Sequence, residues 1–130
     1  MTKIGWATDI HLSVCAIQVR ERFYQTIREQ SLDQLWLGGD IGEADNLEAL
    51  LTELLEAVDV PVSFVLGNHD FYFGSITDVR TLASKLCQRD ERVVYLSQSS
   101  VQQINETVGL VGHDGWADGR IGNYETSMVM

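Results

Sequence analysis

Val62-Ser63-Phe64-Val65-Leu66-Gly67-Asn68-His69-Asp70 joins a largely apolar run, suited to a buried strand, to a glycine and then three polar side chains. Pro61, just ahead, favours an extended start. The same pattern occurs twice upstream. Ile4-Gly5-Trp6-Ala7-Thr8 reads as a buried strand ending at Asp9 and His11. Leu32 to Leu37 reads as another, followed at once by Gly38-Gly39-Asp40-Ile41-Gly42-Glu43, where glycines allow backbone conformations that other residues resist. Each strand end therefore carries groups able to do chemistry.

Helical spacing fills the intervals. Ile17, Val19, Phe23, Tyr24 and Ile27 predict an amphipathic helix from Ile17 to Gln30. Asp45 or Asn46 is placed to cap a second helix, whose Leu47, Leu50, Leu51, Leu54, Leu55 and Val58 repeat at three and four residues through Asp59. Ser75 caps a third, running to about Gln88 with Ile76, Val79, Leu82, Ala83 and Leu86 on one face. Val93 to Leu96 is a fourth strand, and Val101 to Ile104 with Val108 to Val111 predict a hairpin around Asn105-Glu106. Alternating strands and helices specify an α/β fold, a mostly parallel sheet flanked by helices, with a second, antiparallel part of the sheet beginning near Val101. Ligands in such folds bind at the carboxyl ends of the strands, so the topology brings all three polar clusters to one edge.

The 130 residues are 45% hydrophobic, with eleven glycines and one proline, enough for a single domain. The formal charge of −10 argues against nucleic-acid binding through a broad basic surface. No uncharged run approaches the roughly 20 apolar residues of a membrane helix, and no apolar leader precedes Asp9, so the expected location is the cytoplasm. Cys15 and Cys87 lie far apart, outside any metal-knuckle spacing, and read as small apolar thiols. Glu48, Glu53 and Glu56 read as a solvated helix face, and Trp6, Trp36 and Trp116 as core or cleft-wall residues. Phe71-Tyr72-Phe73 reads as packing under the next helix, with a hydrophobic rim for a leaving group as the alternative.

Carboxylate, imidazole and carboxamide donors at Asp9, His11, Asp40, Asn68 and His69 suit divalent Mn, Fe, Zn or Mg, and the absence of thiolates argues against a structural zinc knuckle. One carboxylate between two ions can bridge them. Two ions about 4 Å apart polarise a phosphoryl oxygen and activate water near neutral pH, which is how an acidic chain could handle an anion.

Asp9-Ile10-His11, Gly39-Asp40-Ile41-Gly42-Glu43 and Gly67-Asn68-His69-Asp70, in that order and each after a strand, resemble the motifs Asp-x-His, Gly-Asp-x-x-Asp/Glu and Gly-Asn-His-Asp/Glu of the calcineurin-like metallophosphoesterase family. The resemblance covers roughly residues 3 to 116. It implies the amino-terminal part of an α/β/β/α sandwich and a two-metal phosphoester hydrolase, either a phosphomonoesterase or a phosphodiesterase. Asp9 and His11 would hold the first ion, Asp40 would bridge both, and Asn68 would hold the second. His69 would act on the leaving-group oxygen, oriented by Glu43 or, as a weaker candidate, by Asp70. The implied substrate is a small phosphoester.

The family pattern also contains a middle histidine and a final Gly-His-x-His. Only His113 remains here, in Gly112-His113-Asp114-Gly115-Trp116, where it either touches metal or substrate or structures the loop. The expectation is a single, incomplete domain over residues 1–130, with fewer ligands than a stable catalytic pair needs and weak metal affinity. An incomplete sheet would expose an edge, so the alternative is a catalytically incomplete module acting through self-association or partner binding. A nucleotide-binding Rossmann domain ranks below both, because no Gly-x-Gly-x-x-Gly follows the first strand.

Overall fold

In the computed structural model, which describes residues 1–115, four strands pair in parallel in chain order: β1 (Ile4–Ala7), β2 (Gln34–Leu37), β3 (Val62–Phe64) and β4 (Val93–Tyr95). The register places Trp6 opposite Trp36 and Trp36 opposite Ser63, with Phe64 opposite Tyr95. Helices α1 (Ile17–Glu29), α2 (Leu47–Ala57) and α3 (Ile76–Arg89) make the connections. A hairpin of β5 (Gln102–Gln103) and β6 (Gly109–Leu110) forms a separate antiparallel sheet instead of extending the main one. Its turn is held by the Asn105 side chain, whose Oδ1 accepts from the Thr107 and Val108 amides at 2.9 and 3.0 Å. No helix among the described residues is long and apolar enough to cross a membrane.

The core lies on one face of the sheet. Leu35, Leu37, Val62, Phe64, Val93 and Tyr95 pack with Tyr24 and Ile27 of α1, with Leu47, Leu50, Leu51, Leu54 and Leu55 of α2, and with Val79, Ala83 and Leu86 of α3. Each fully buried leucine contributes about 1.5–3 kcal/mol, so α2 is the principal apolar anchor. The Ser75 hydroxyl caps α3 by accepting from the Asp78 amide. Asn46 stands at the start of α2, but its side chain accepts from the Glu43 amide at 2.9 Å and caps no helical N–H. Glu53, read as solvated, instead clamps α1 to α2 by accepting from Arg20 Nε at 2.9 Å and the Tyr24 hydroxyl at 3.1 Å.

Several apolar positions depart from the sequence expectation. Among the described residues β1 is an edge strand, and Trp6 is 77% exposed rather than a core residue. Ile17 and Val19 at the start of α1 and Ile76 at the start of α3 also face solvent. Trp36 is half-buried on the face opposite the core. Trp116 lies outside the described residues.

A buried carboxylate gathers the segments around β4 and α3. Asp114 accepts from the Leu66 amide at 2.9 Å, from Ser97 Oγ at 2.6 Å, from Arg80 Nε at 3.3 Å and from the Tyr95 hydroxyl. It thereby ties the end of β3 to β4 and α3. Burial, then the hydrogen bond to Asp114, push the Tyr95 phenol well above its usual range.

Candidate metal centre

The loops leaving β1, β2 and β3 are held together before any ion is considered. The Asp9, His11 and Leu12 amides donate to the Gly39, Asp40 and Ile41 carbonyls at 3.0, 2.9 and 2.8 Å, which continues the β1–β2 pairing past the strands. Two aspartates join the second loop to the third reciprocally. Asp40 Oδ1 accepts from the His69 amide at 3.0 Å, while Asp70 Oδ1 accepts from the Ile41 and Gly42 amides at 2.8 Å each. Asp70 Oδ2 takes the Gly67 amide at 2.8 Å.

This closeness requires glycine on both sides. Gly39 has φ +92°, and a Cβ there would stand 2.5 Å from the Gly67 nitrogen. A Cβ at Gly67 would stand 2.1 Å from Asp40 Oδ1. Gly67→Ala is therefore expected to cost about 1–3 kcal/mol, the usual penalty for overfilling a packed site, and to push the Asp40 carboxylate aside. Urea unfolding combined with Mn²⁺ titration checks this; wild-type stability and metal uptake would show that the loops part without cost.

Asp9, His11 and Asp40 meet at this edge, each offering a ligand atom, all within 4.8 Å of one another. His11 Nε2 lies 3.8 Å from Asp40 Oδ2, too far for a hydrogen bond. It is close to the separation of two donors that share an ion at roughly 2.0–2.2 Å each. Among the described residues, the non-glycine positions with positive φ are Asp9 (54°), His11 (41°), Ser31 (50°), Asp40 (52°) and Phe73 (64°). All three clustered residues are thus in the left-handed conformation, which costs an L-residue about 1–2 kcal/mol and concentrates at functional sites. The Thr8 hydroxyl donates to Asp9 Oδ2 at 2.5 Å and fixes that carboxylate's orientation.

The third loop brings Asn68 and His69 alongside. The His69 ring meets the His11 ring edge-on at 4.8 Å and lies 4.5 Å from the Tyr72 ring. Asn68 Nδ2 donates to the Tyr72 hydroxyl at 3.0 Å. The two carboxylates expected beside His69 are placed differently from one another. Asp70 is fully buried and accepts from backbone amides through both oxygens, so it braces the loops, and among the described residues no hydrogen bond joins it to the His69 ring. Burial pushes its carboxyl up, against the pull of those amides, and the neighbouring Asp40 charge adds to the rise. Among the described residues no hydrogen bond or ion pair joins the Glu43 carboxylate to His69; the Glu43 amide donates to Asn46 Oδ1 at 2.9 Å ahead of α2. His113 is exposed and stands outside the cluster.

Residues 2–124 match the sequence model of the calcineurin-like phosphoesterase family, nearly the whole chain. The chain belongs to this family. No curated protein and no solved structure matches it. In this calcineurin-like phosphoesterase, the three motif segments occupy the ends of three adjacent parallel strands. Sequence reading assigned no role to Thr8 or Asp114 and took Tyr72 as packing or a hydrophobic rim. Thr8 was marked only by adjacency to Asp9 and Tyr72 only by its place four residues after Asn68, whereas Asp114 acquires its partners through the fold alone.

Proposed function

We propose that this chain builds the metal centre of a phosphoester hydrolase acting on small phosphoesters. The observation that carries the reading is the convergence of the Asp9, His11 and Asp40 donor atoms within 4.8 Å. Oxygen and nitrogen donors of this kind fit divalent Mn, Fe, Zn or Mg. Asp9, His11 and Asp40 would hold the first ion, and Asp40 with Asn68 the second. When bound, such ions lower the pKa of water and neutralise charge on phosphoryl oxygens. Asp40, anchored through Oδ1 by the His69 amide, keeps its carboxylate facing His11. His69 would donate a proton to the leaving-group oxygen, its ring in contact with those of His11 and Tyr72. Cys15 and Cys87 are unpaired thiols, which suits a reducing compartment.

Three side-chain donors for one ion and two for the other favour weak binding. Protein dialysed against buffer should therefore lose metal and activity, and added Mn²⁺ should restore hydrolysis of p-nitrophenyl phosphate or bis(p-nitrophenyl) phosphate; whichever ester turns over faster assigns monoesterase or diesterase. Absence of turnover of either ester at millimolar Mn²⁺ would refute the reading.

A second reading rests on the β1 edge, where Trp6 is 77% exposed. Unpaired edge strands bearing apolar groups template association. If self-association through this edge is a function of the chain, sedimentation should show dimers that Trp6→Lys dissolves. A strict monomer at high concentration removes this reading.

A further inference from the structure

We infer that Tyr72 is a positioning residue of the metal centre, its hydroxyl fixing the Asn68 carboxamide and its ring seating the His69 imidazole. The inference rests on the two-metal reading above and adds a residue to it. Asn68 and Tyr72 bracket a single 3-10 turn, His69–Phe71, in which the Tyr72 amide donates to the His69 carbonyl at 2.9 Å and the Phe71 amide to the Asn68 carbonyl at 3.2 Å. The turn sets the reach between the two side chains. Tyr72 is also pinned from outside, because its carbonyl accepts from the Ala44 amide at 3.1 Å on the loop after β2.

A carboxamide that donates through nitrogen presents its oxygen on the other arm. The 3.0 Å bond from Asn68 Nδ2 to the Tyr72 hydroxyl therefore selects the amide rotamer and leaves Oδ1 as the end available to a cation. Groups that hydrogen-bond the far side of a metal-ligating side chain orient it, and their loss typically weakens metal binding 10- to 100-fold. The Tyr72 ring, 4.5 Å from that of His69, restricts the imidazole together with the edge-on contact to His11 at 4.8 Å. Tyr72 thus touches both residues that the motif contributes to the site.

Tyr72→Phe removes the hydroxyl and keeps the ring; Tyr72→Leu removes both. In the metal-free protein, ¹H–¹⁵N spectra of the assigned Asn68 side-chain amide should differ between wild type and Tyr72→Phe, the variant showing a shift typical of a solvated carboxamide. In Mn²⁺ titrations Tyr72→Phe should bind the first ion as wild type does and the second about 10- to 100-fold more weakly. Its p-nitrophenyl phosphate turnover should recover at high Mn²⁺, whereas that of Tyr72→Leu should stay about tenfold low. An unchanged Asn68 amide signal, or equal second-ion affinity despite a changed signal, overturns the positioning role. A wild type that binds one ion or none, with the Asn68 signal still sensitive to Tyr72→Phe, overturns the two-metal reading itself and the part assigned to Tyr72 within it.

Discussion

Asp70→Ala is expected to destabilise the protein by about 3–5 kcal/mol and to remove metal binding with it. The wild-type carboxylate is fully buried and accepts from three backbone amides, those of Ile41, Gly42 and Gly67. Each buried N–H left without an acceptor costs about 1–3 kcal/mol, and entry of water into the new space would return part of the total. Asp70→Asn should fall between wild type and alanine, because the amide oxygen can still serve the Ile41 and Gly42 amides while its NH₂ opposes Gly67. The readout is urea unfolding followed by tryptophan fluorescence. A loss below about 1 kcal/mol for Asp70→Ala would mean that the two loops do not depend on this carboxylate.

Asp40→Asn should have the largest effect on function. Loss of an outer partner alone weakens metal binding 10- to 100-fold, so neutralising the carboxylate common to both proposed ion sites should reduce Mn²⁺-supported turnover by more than about 100-fold. Asparagine is the suitable replacement because Asp40 has φ +52°, a conformation that asparagine tolerates and alanine does not. It also keeps an oxygen for the His69 amide, so the fold should persist with a melting temperature within a few degrees of wild type. Retained turnover in a folded Asp40→Asn protein would place the chemistry elsewhere.

Much of the fold was legible because the signals were local. Leucine spacing over Leu47–Leu55 marks a helix whichever way it packs, and three apolar runs that stop at polar loops mark parallel strands. Strand order within the sheet is not local, which is why Ile4–Ala7 read as a buried strand although it lies at the edge with Trp6 exposed. The same distinction separates the site residues. Asp9, His11 and Asp40 carry their chemistry in residue type and position, and the fold gathers them. Asp70 has the residue type of a catalytic group, but burial and three amide donors give it another task. Glu43 stands at the motif spacing, yet the turn into α2 decides where its backbone goes. Asp114 has no motif at all, and only the packed sheet brings Leu66, Arg80, Tyr95 and Ser97 to it.

Asp9, His11 and Asp40 are proposed to form a cation site in this chain. Titration of the metal-free protein with Mn²⁺, following the free-ion signal by electron paramagnetic resonance, tests it most directly. Wild type should suppress that signal saturably, and Asp40→Asn should lose the suppression. A free-ion signal that rises in proportion to added Mn²⁺ from the first addition to millimolar concentration, and does so equally for folded wild type and Asp40→Asn, would contradict it.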